Sequence, residues 1–136
     1  MKLLSKFMVL FGMGLFLSSF FIPAVHITSD IELNGFYAFL LNLSMLFYVD
    51  SGMEYLEFVF MILTNVWVIF LFIRYWRKNE NRLLTLFVAV LAILSGLYWL
   101  FRIEDISTLL IGFWAWLVGV LFISGASILK GKNQDQ

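Results

Sequence analysis

The chain of 136 residues contains no cysteine, one proline and one histidine. Without cysteine it can form neither a disulfide nor a thiolate metal site, and it has no cysteine nucleophile. Charged residues make up only 13% of the chain, whereas a soluble domain has about a quarter. The formal net charge is +0, and the few basic residues lie in turns and tails and not along one helix face, so the chain lacks the electrostatic footprint of a nucleic-acid-binding protein.

Apolar residues are what the chain has in abundance. They make up 62% of the sequence, which is more than the core of so small a protein can bury from water. The surplus must face another apolar medium, and a lipid bilayer is the simplest one. The sequence therefore predicts an integral membrane protein, formed as a single domain over residues 1–136.

Apolar runs predict four transmembrane helices, since each is close to the roughly 20 residues that span a bilayer. The first follows Lys2 and Lys6, a pattern that signal peptides share. This run is longer than a typical signal-peptide core, and Ile22-Pro23-Ala24 is a poor cleavage site, so we expect a retained helix that ends near Pro23. The predicted spans are residues 7–25, 55–73, 83–101 and 109–129.

A shorter apolar helix is predicted over residues 36–49. Fourteen helical residues reach about 21 Å, less than the roughly 30 Å of a hydrocarbon core. A crossing there would also reverse every later helix and carry the basic turn at residues 74–82 to the outside, against the positive-inside rule. The segment is therefore predicted to be an interfacial or re-entrant helix on the extracytoplasmic side. Residues 133–136 are expected to form a frayed polar tail.

The charges separate to the two sides of this arrangement. Basic residues mark the cytoplasmic side, which places both termini inside a cell (cytoplasmic) membrane as a multi-pass protein. The predicted fold is thus an all-α bundle of four transmembrane helices, N-in and C-in. The inner set is Lys2, Lys6, Arg74, Arg77, Lys78, Arg82, Lys130 and Lys132, and the outer set is Asp30, Glu32, Asp50, Glu54, Glu57, Glu104 and Asp105, with Arg102 beside them.

Small residues recur at seven-residue steps in the first and last spans. Such spacing suits close, left-handed packing of membrane helices, where no hydrophobic force acts between helices and close approach must hold them. The candidate packing residues are Gly12 and Ser19 in the first span and Gly112, Ala115, Gly119 and Ala126 in the fourth.

The second span carries a polar stripe. At 100° per residue, Glu54, Glu57, Thr64 and Asn65 fall within one arc of the helix. Because an amide in hydrocarbon needs a hydrogen-bond partner, this stripe should face the bundle or a second copy. Arg102, at the end of the third span, could form an ion pair with Glu57. These five residues are the candidate binding site.

Catalytic and metal sites are not predicted. The chain contains no phosphate-binding glycine loop, no nucleophile elbow and no zinc-protease motif. His26 and Asp30, four residues apart, are the residues that could hold a cation, but the spacing is common. We therefore expect no enzyme activity, no cofactor and no metal.

The sequence thus favours a protein that acts by binding, as an accessory or regulatory subunit or an immunity-type protein, through its acidic extracytoplasmic face. An oligomeric transporter or channel, with the stripe lining the path of a cation or small solute, is the alternative. An outer-face metal-dependent enzyme is the third reading. The expected partners are the lipid bilayer and another membrane protein or a second copy, and no nucleic acid.

Overall fold

A computed structural model describes residues 2–28, 31–48, 50–77, 81–102 and 109–133, without the side chains of residues 2, 27, 28, 102 and 131–133. These residues form five helices and one two-stranded antiparallel sheet. In chain order the elements are α1 Lys2–Ser19, β1 Pro23–Thr28, β2 Ile31–Asn34, α2 Gly35–Met45, α3 Gly52–Trp76, α4 Arg82–Arg102 and α5 Ile111–Asn133.

Three of these helices are long and apolar enough to cross a membrane. They are α3 over Gly52–Trp76, α4 over Arg82–Phe101 and α5 over Ile111–Lys130. These three helices confirm the prediction of a helical protein with transmembrane segments. The apolar part of α1, Leu3–Ser19, is shorter than the other three. The predicted tail at residues 133–136 begins inside α5, since Asn133 is helical, and residues 134–136 lie outside the described part of the chain.

The prediction that the first helix continues to residue 25 is wrong. Helix α1 ends at Ser19, and the chain then enters the hairpin of β1 and β2. Backbone groups from later in the chain bind the carbonyls that follow α1: Phe36 N donates to Phe20 O at 3.0 Å, and Gly35 N donates to Ile22 O at 3.3 Å. These hydrogen bonds give the two carbonyls partners that do not belong to a helix. The chain can therefore leave the helical conformation before Pro23.

The hairpin is joined to the beginning of α5. Leu110 N donates to Ala24 O at 2.9 Å, and Val25 forms an antiparallel bridge with Leu109. Gly112 lies against the same segment, and a methyl group added there would come within 2.6 Å of Pro23 O. The absence of a side chain at Gly112 thus lets the hairpin pack directly on the beginning of α5.

Helix α2 is the short apolar helix that the sequence places at residues 36–49. It runs over Gly35–Met45 and continues into a turn at residues 46–48. Asn34 caps its first turn, because its Oδ1 accepts a hydrogen bond from Tyr37 N at 3.0 Å. No residue of α2 is buried. The rings of Phe39 and Phe20 form a T-shaped pair with 6.4 Å between their centroids, which attaches α2 to the end of α1.

Helices α1 and α5 pack closely and antiparallel through two glycines. A methyl group built on Gly119 would lie 2.8 Å from Gly12 O and 2.9 Å from Phe16 N. A methyl group on Gly12 would lie 2.8 Å from Phe122 Cβ. The two backbones therefore approach so closely that any side chain would have to push them apart. The completely buried apolar residues of the core come from α1, α3, α4 and α5 and include Val9, Val68, Leu71, Ala89, Ala92, Val120 and Ile123.

Tyr75 ties three helices together at one end of the bundle. Its hydroxyl shares a 2.8 Å hydrogen bond with Ser5 of α1. The Lys130 ammonium of α5 lies 5.1 Å from the centre of the Tyr75 ring and donates to Tyr75 O. It also donates to Arg77 O at 3.1 Å. Lys130 thereby satisfies carbonyls at the end of α3, where a positive charge is favourable.

Candidate binding site

Thr64 belongs to the polar stripe of α3 and is completely buried. Its hydroxyl donates to Phe60 O at 2.8 Å and shares a hydrogen bond with the hydroxyl of Ser95 in α4. Ser95 Oγ lies 3.3 Å from Phe60 O, so its single proton can be donated to the Thr64 hydroxyl or to this carbonyl. The stripe therefore faces the bundle at this depth, and the three groups join α3 to α4.

Asn65 connects α3 to α5. The indole Nε1 of Trp116 donates to Asn65 Oδ1 at 2.9 Å, while Asn65 Nδ2 donates to Met61 O at 3.1 Å. The sequence indicates that the Asn65 amide needs partners inside the membrane, but not which residue supplies them. In the sequence, Trp116 lies within its predicted span and not at the end, where an interface belt would place a tryptophan, and this position is a signal that its indole is buried.

Glu57 lies farther along the stripe, near the beginning of α3. The Tyr98 hydroxyl of α4 donates to Glu57 Oε1 at 2.7 Å. The side chain of Arg102 lies outside the described residues, so the predicted Glu57–Arg102 pair stays a hypothesis. Tyr98 precedes Arg102 by one helical turn, and the structure brings this phenol to Glu57. Glu54 is exposed.

A lateral groove separates α3 from α4 beside this pair. It has a volume of about 340 Å³ and is almost entirely apolar. The Glu57 carboxylate and the Tyr98 phenol lie at one end of it, because they occupy the first turns of α3 and the last turns of α4. The lining residues are Met53, Leu56, Glu57, Phe60, Leu91, Leu94, Ser95 and Tyr98.

A second, smaller cavity lies between the hairpin, α2, α3 and α5. Its volume is about 50 Å³, and Asn42, Asn65 and Trp116 are among its lining residues. A water molecule occupies about 30 Å³ in the liquid, so this space could hold one or two waters. It is too small for an organic ligand of ordinary size.

The metal candidates fall on the hairpin. His26 lies opposite Glu32 in the strand register, with 3.7 Å between His26 Nε2 and Glu32 Oε1. Asp30 lies outside the described residues. Within the described part of the chain, no group of three histidine, cysteine or acidic residues is close enough to hold a metal ion.

The predicted packing residues divide between two contacts. Gly12 and Gly119 meet each other, whereas Gly112 meets the backbone of Ile22 and Pro23. Ser19 is buried and donates to Phe16 O at 2.6 Å within its own helix. Ala126 is completely buried, and Ala115 is half-buried.

The described charges lie at opposite ends of the bundle. The basic end contains the beginnings of α1 and α4 and the ends of α3 and α5. It carries Lys6, Arg74, Arg77, Arg82 and Lys130. The acidic end is formed by the hairpin, α2 and the beginning of α3, and its described acidic residues are Glu32, Asp50, Glu54 and Glu57. Every lysine or arginine whose side chain the structure describes lies at the basic end.

Comparisons with protein-family models, with curated proteins and with solved structures find no match for this chain.

Proposed function

We propose that the chain crosses a cytoplasmic membrane four times, with both termini inside. Helix α1 has 18 residues and reaches about 27 Å, close to the thickness of a hydrocarbon core. Its antiparallel contact with α5 through Gly12 and Gly119 supports placing both helices at the same depth. The positive-inside rule then orients the basic end toward the cytoplasm and the acidic end outward.

The proposed function is to bind another membrane-embedded chain that carries a basic segment on the outer side. The observation behind this proposal is the surface formed by α2 and its following turn, which we call the α2 surface. Its large apolar side chains are exposed, and they lie beside the acidic residues of the same end. The exposed side chains are Phe36, Tyr37, Leu40, Leu41, Leu43, Met45, Phe47 and Tyr48.

Charge complementarity favours a different chain over a second copy as the partner. The acidic end carries Glu32, Asp50 and Glu54, while the described lysine and arginine side chains lie at the opposite end. Two copies with the same orientation in a membrane would bring acidic surfaces together, which is unfavourable. A partner with basic residues near its outer membrane boundary would instead complement them. An accessory, regulatory or immunity-type role fits such binding.

Transport is the weaker proposal because the polar stripe is occupied by contacts between helices. Thr64 bonds to Ser95, and Asn65 bonds to Trp116. A solute path through the bundle would need polar groups at this depth that can bind the solute. Here those groups bind one another and hold α3 against α4 and α5.

Site-specific photocrosslinking in intact membranes tests the binding proposal. A photoreactive residue at Leu40, on the α2 surface, should crosslink one partner protein that has basic residues at its outer boundary. The control position is Phe87, which is 62% exposed on the side of α4 near the basic end. The Asp50→Asn/Glu54→Gln variant should lose most of the Leu40 adduct, because it removes two of the attracting charges.

Two results would contradict the proposal. One is the same set of adducts from Leu40 and from Phe87, which would indicate random collisions in the bilayer. The other is an undiminished Leu40 adduct in the neutralised variant, which would show that the acidic residues do not attract the partner.

A further inference from the structure

The basic end has more positive charge than the acidic residues on its side of the chain can neutralise. The inner set contains eight lysine and arginine residues. The acidic residues that belong to this side in sequence are two, Glu80 between α3 and α4 and Asp135 after α5. All acidic side chains that the structure describes lie at the opposite end. Whichever cations pair with Glu80 and Asp135, an excess of six positive charges remains.

This charge lies at the boundaries of the candidate membrane spans. The spans of α3 and α5 end at Trp76 and Lys130, and the span of α4 begins at Arg82. Exposed apolar side chains lie next to these boundaries, since Trp76 is 48% exposed and Leu83 is 79% exposed. Tryptophan is typical of the interface between membrane and water. The basic end therefore meets the headgroup region of one leaflet, whichever way the protein is oriented.

Arg74 and Arg77 are the part of the basic end best suited to a phosphate group. They are three residues apart at the end of α3, and Arg77 is exposed. The Arg74 guanidinium lies 5.5 Å from the centre of the Phe70 ring, and its Nη2 donates to Asn81 O at 3.4 Å, at the beginning of α4. A guanidinium has five N–H donors, and this carbonyl accepts one of them. Two guanidinium groups at one junction can thus donate further hydrogen bonds to phosphate oxygens.

The apolar side chains beside the arginines favour a lipid over a soluble anion. Interfaces with nucleic acids are polar, and a soluble phosphate compound has no apolar part that could contact Trp76 or Leu83. In a phospholipid the phosphate is joined to acyl chains, so one molecule can contact both the guanidinium groups and these side chains. Zwitterionic lipids add an ammonium group, which the excess positive charge repels. The complementary lipid is therefore anionic.

We propose that Arg74 and Arg77 bind the headgroup of one anionic phospholipid, such as phosphatidylglycerol, in the leaflet at the basic end. The two guanidinium groups donate hydrogen bonds to the phosphate, and the acyl chains run along the lipid-facing sides of α3 and α4 near Trp76 and Leu83. This site lies at the opposite end from the α2 surface. It depends neither on the proposed partner protein nor on which side of the membrane is cytoplasmic.

Native mass spectrometry of the purified full chain, with lipids of matched acyl chains, tests this site. The wild-type chain should retain one phosphatidylglycerol about tenfold more strongly than phosphatidylcholine or phosphatidylethanolamine, as expected for charge-assisted hydrogen bonds. Arg77→Gln should lower the retention of phosphatidylglycerol about fivefold, which is the contribution of one cation at a membrane surface. Lys6→Gln is the matched control and should have little effect, because Lys6 is exposed at the same end but belongs to α1.

A soluble headgroup separates lipid binding from phosphate binding. Glycerol phosphate at the concentration of the lipid should leave the phosphatidylglycerol adduct unchanged, and displacement of the adduct would overturn the assignment to a lipid. Equal retention of the three lipids by the wild-type chain would overturn the proposal. Equal losses in Arg77→Gln and Lys6→Gln would also overturn it, because the lipid would then follow the total charge and not this pair. Both variants should keep the helical circular dichroism of the wild type, since both side chains are exposed.

Discussion

The indole of Trp116 donates a hydrogen bond to the side-chain carbonyl of Asn65, with 2.9 Å between Nε1 and Oδ1. Both residues are buried, with 7% and 8% of their surfaces exposed. The bond therefore fixes the rotation of α3 relative to α5 as well as holding the two helices together.

We predict that Trp116→Phe destabilises the protein by about 1 kcal/mol, since it removes the donor and leaves the Asn65 carbonyl buried without it. The double variant Asn65→Leu/Trp116→Phe should cost less than the sum of the single variants, because it removes both polar groups. Reversible unfolding in mixed micelles measures the free energies of unfolding and hence the coupling energy between Asn65 and Trp116. Trp114→Phe is the control on the same helix, since Trp114 is 38% exposed. Additive effects would show that the hydrogen bond contributes nothing.

The contact of α1 with α5 gives a second prediction. Gly119→Ala should destabilise the protein by about 1–3 kcal/mol, because the new methyl group would meet backbone atoms of Gly12 and Phe16 that cannot move independently. Gly14→Ala is the matched control, since nothing lies within 4 Å of its position. The control should be neutral, or stabilising by up to about 1 kcal/mol through helix propensity. Similar thermal unfolding temperatures for both variants would rule out close packing of the glycines.

A third prediction concerns the end of α3. Lys130→Met should lower the stability by about 1 kcal/mol, because the ammonium no longer reaches the carbonyls of Tyr75 and Arg77 or the Tyr75 ring. Lys6→Met tests whether charge loss alone matters, since Lys6 is exposed at the same end. Thermal unfolding of both variants in one detergent gives the comparison. An equal effect of the two substitutions would mean that the contacts of Lys130 with the end of α3 add nothing to the stability.

The polar stripe shows what helical periodicity can predict. Thr64 and Asn65 lie on the arc that the sequence predicts to face the bundle or a second copy, and both are buried within the bundle. Their partners depend on how α4 and α5 rotate and slide against α3, which periodicity within α3 cannot specify. The pairings of Thr64 with Ser95, of Asn65 with Trp116 and of Glu57 with Tyr98 follow from the packed bundle.

The hairpin shows why a hydropathy pattern fails at a helix end. Phe20, Phe21 and Ile22 are as apolar as the helix before them, so the apolar run continues past Ser19 although the helix does not. The end is decided by hydrogen bonds to Gly35, Phe36 and, farther along, Leu110. Those partners are distant in sequence, and no local pattern near Pro23 identifies them.

Substituted-cysteine labelling most directly tests the central claim, a four-span protein whose acidic end faces outward. Because the chain has no cysteine, single substitutions can be made at Lys6, Phe21, Tyr48 and Arg77, all of which are exposed. In intact cells a membrane-impermeant thiol reagent should label Phe21→Cys and Tyr48→Cys. It should label Lys6→Cys and Arg77→Cys only after permeabilisation. Labelling of Lys6→Cys and Phe21→Cys from the same side would show that α1 does not cross the membrane and would contradict the account.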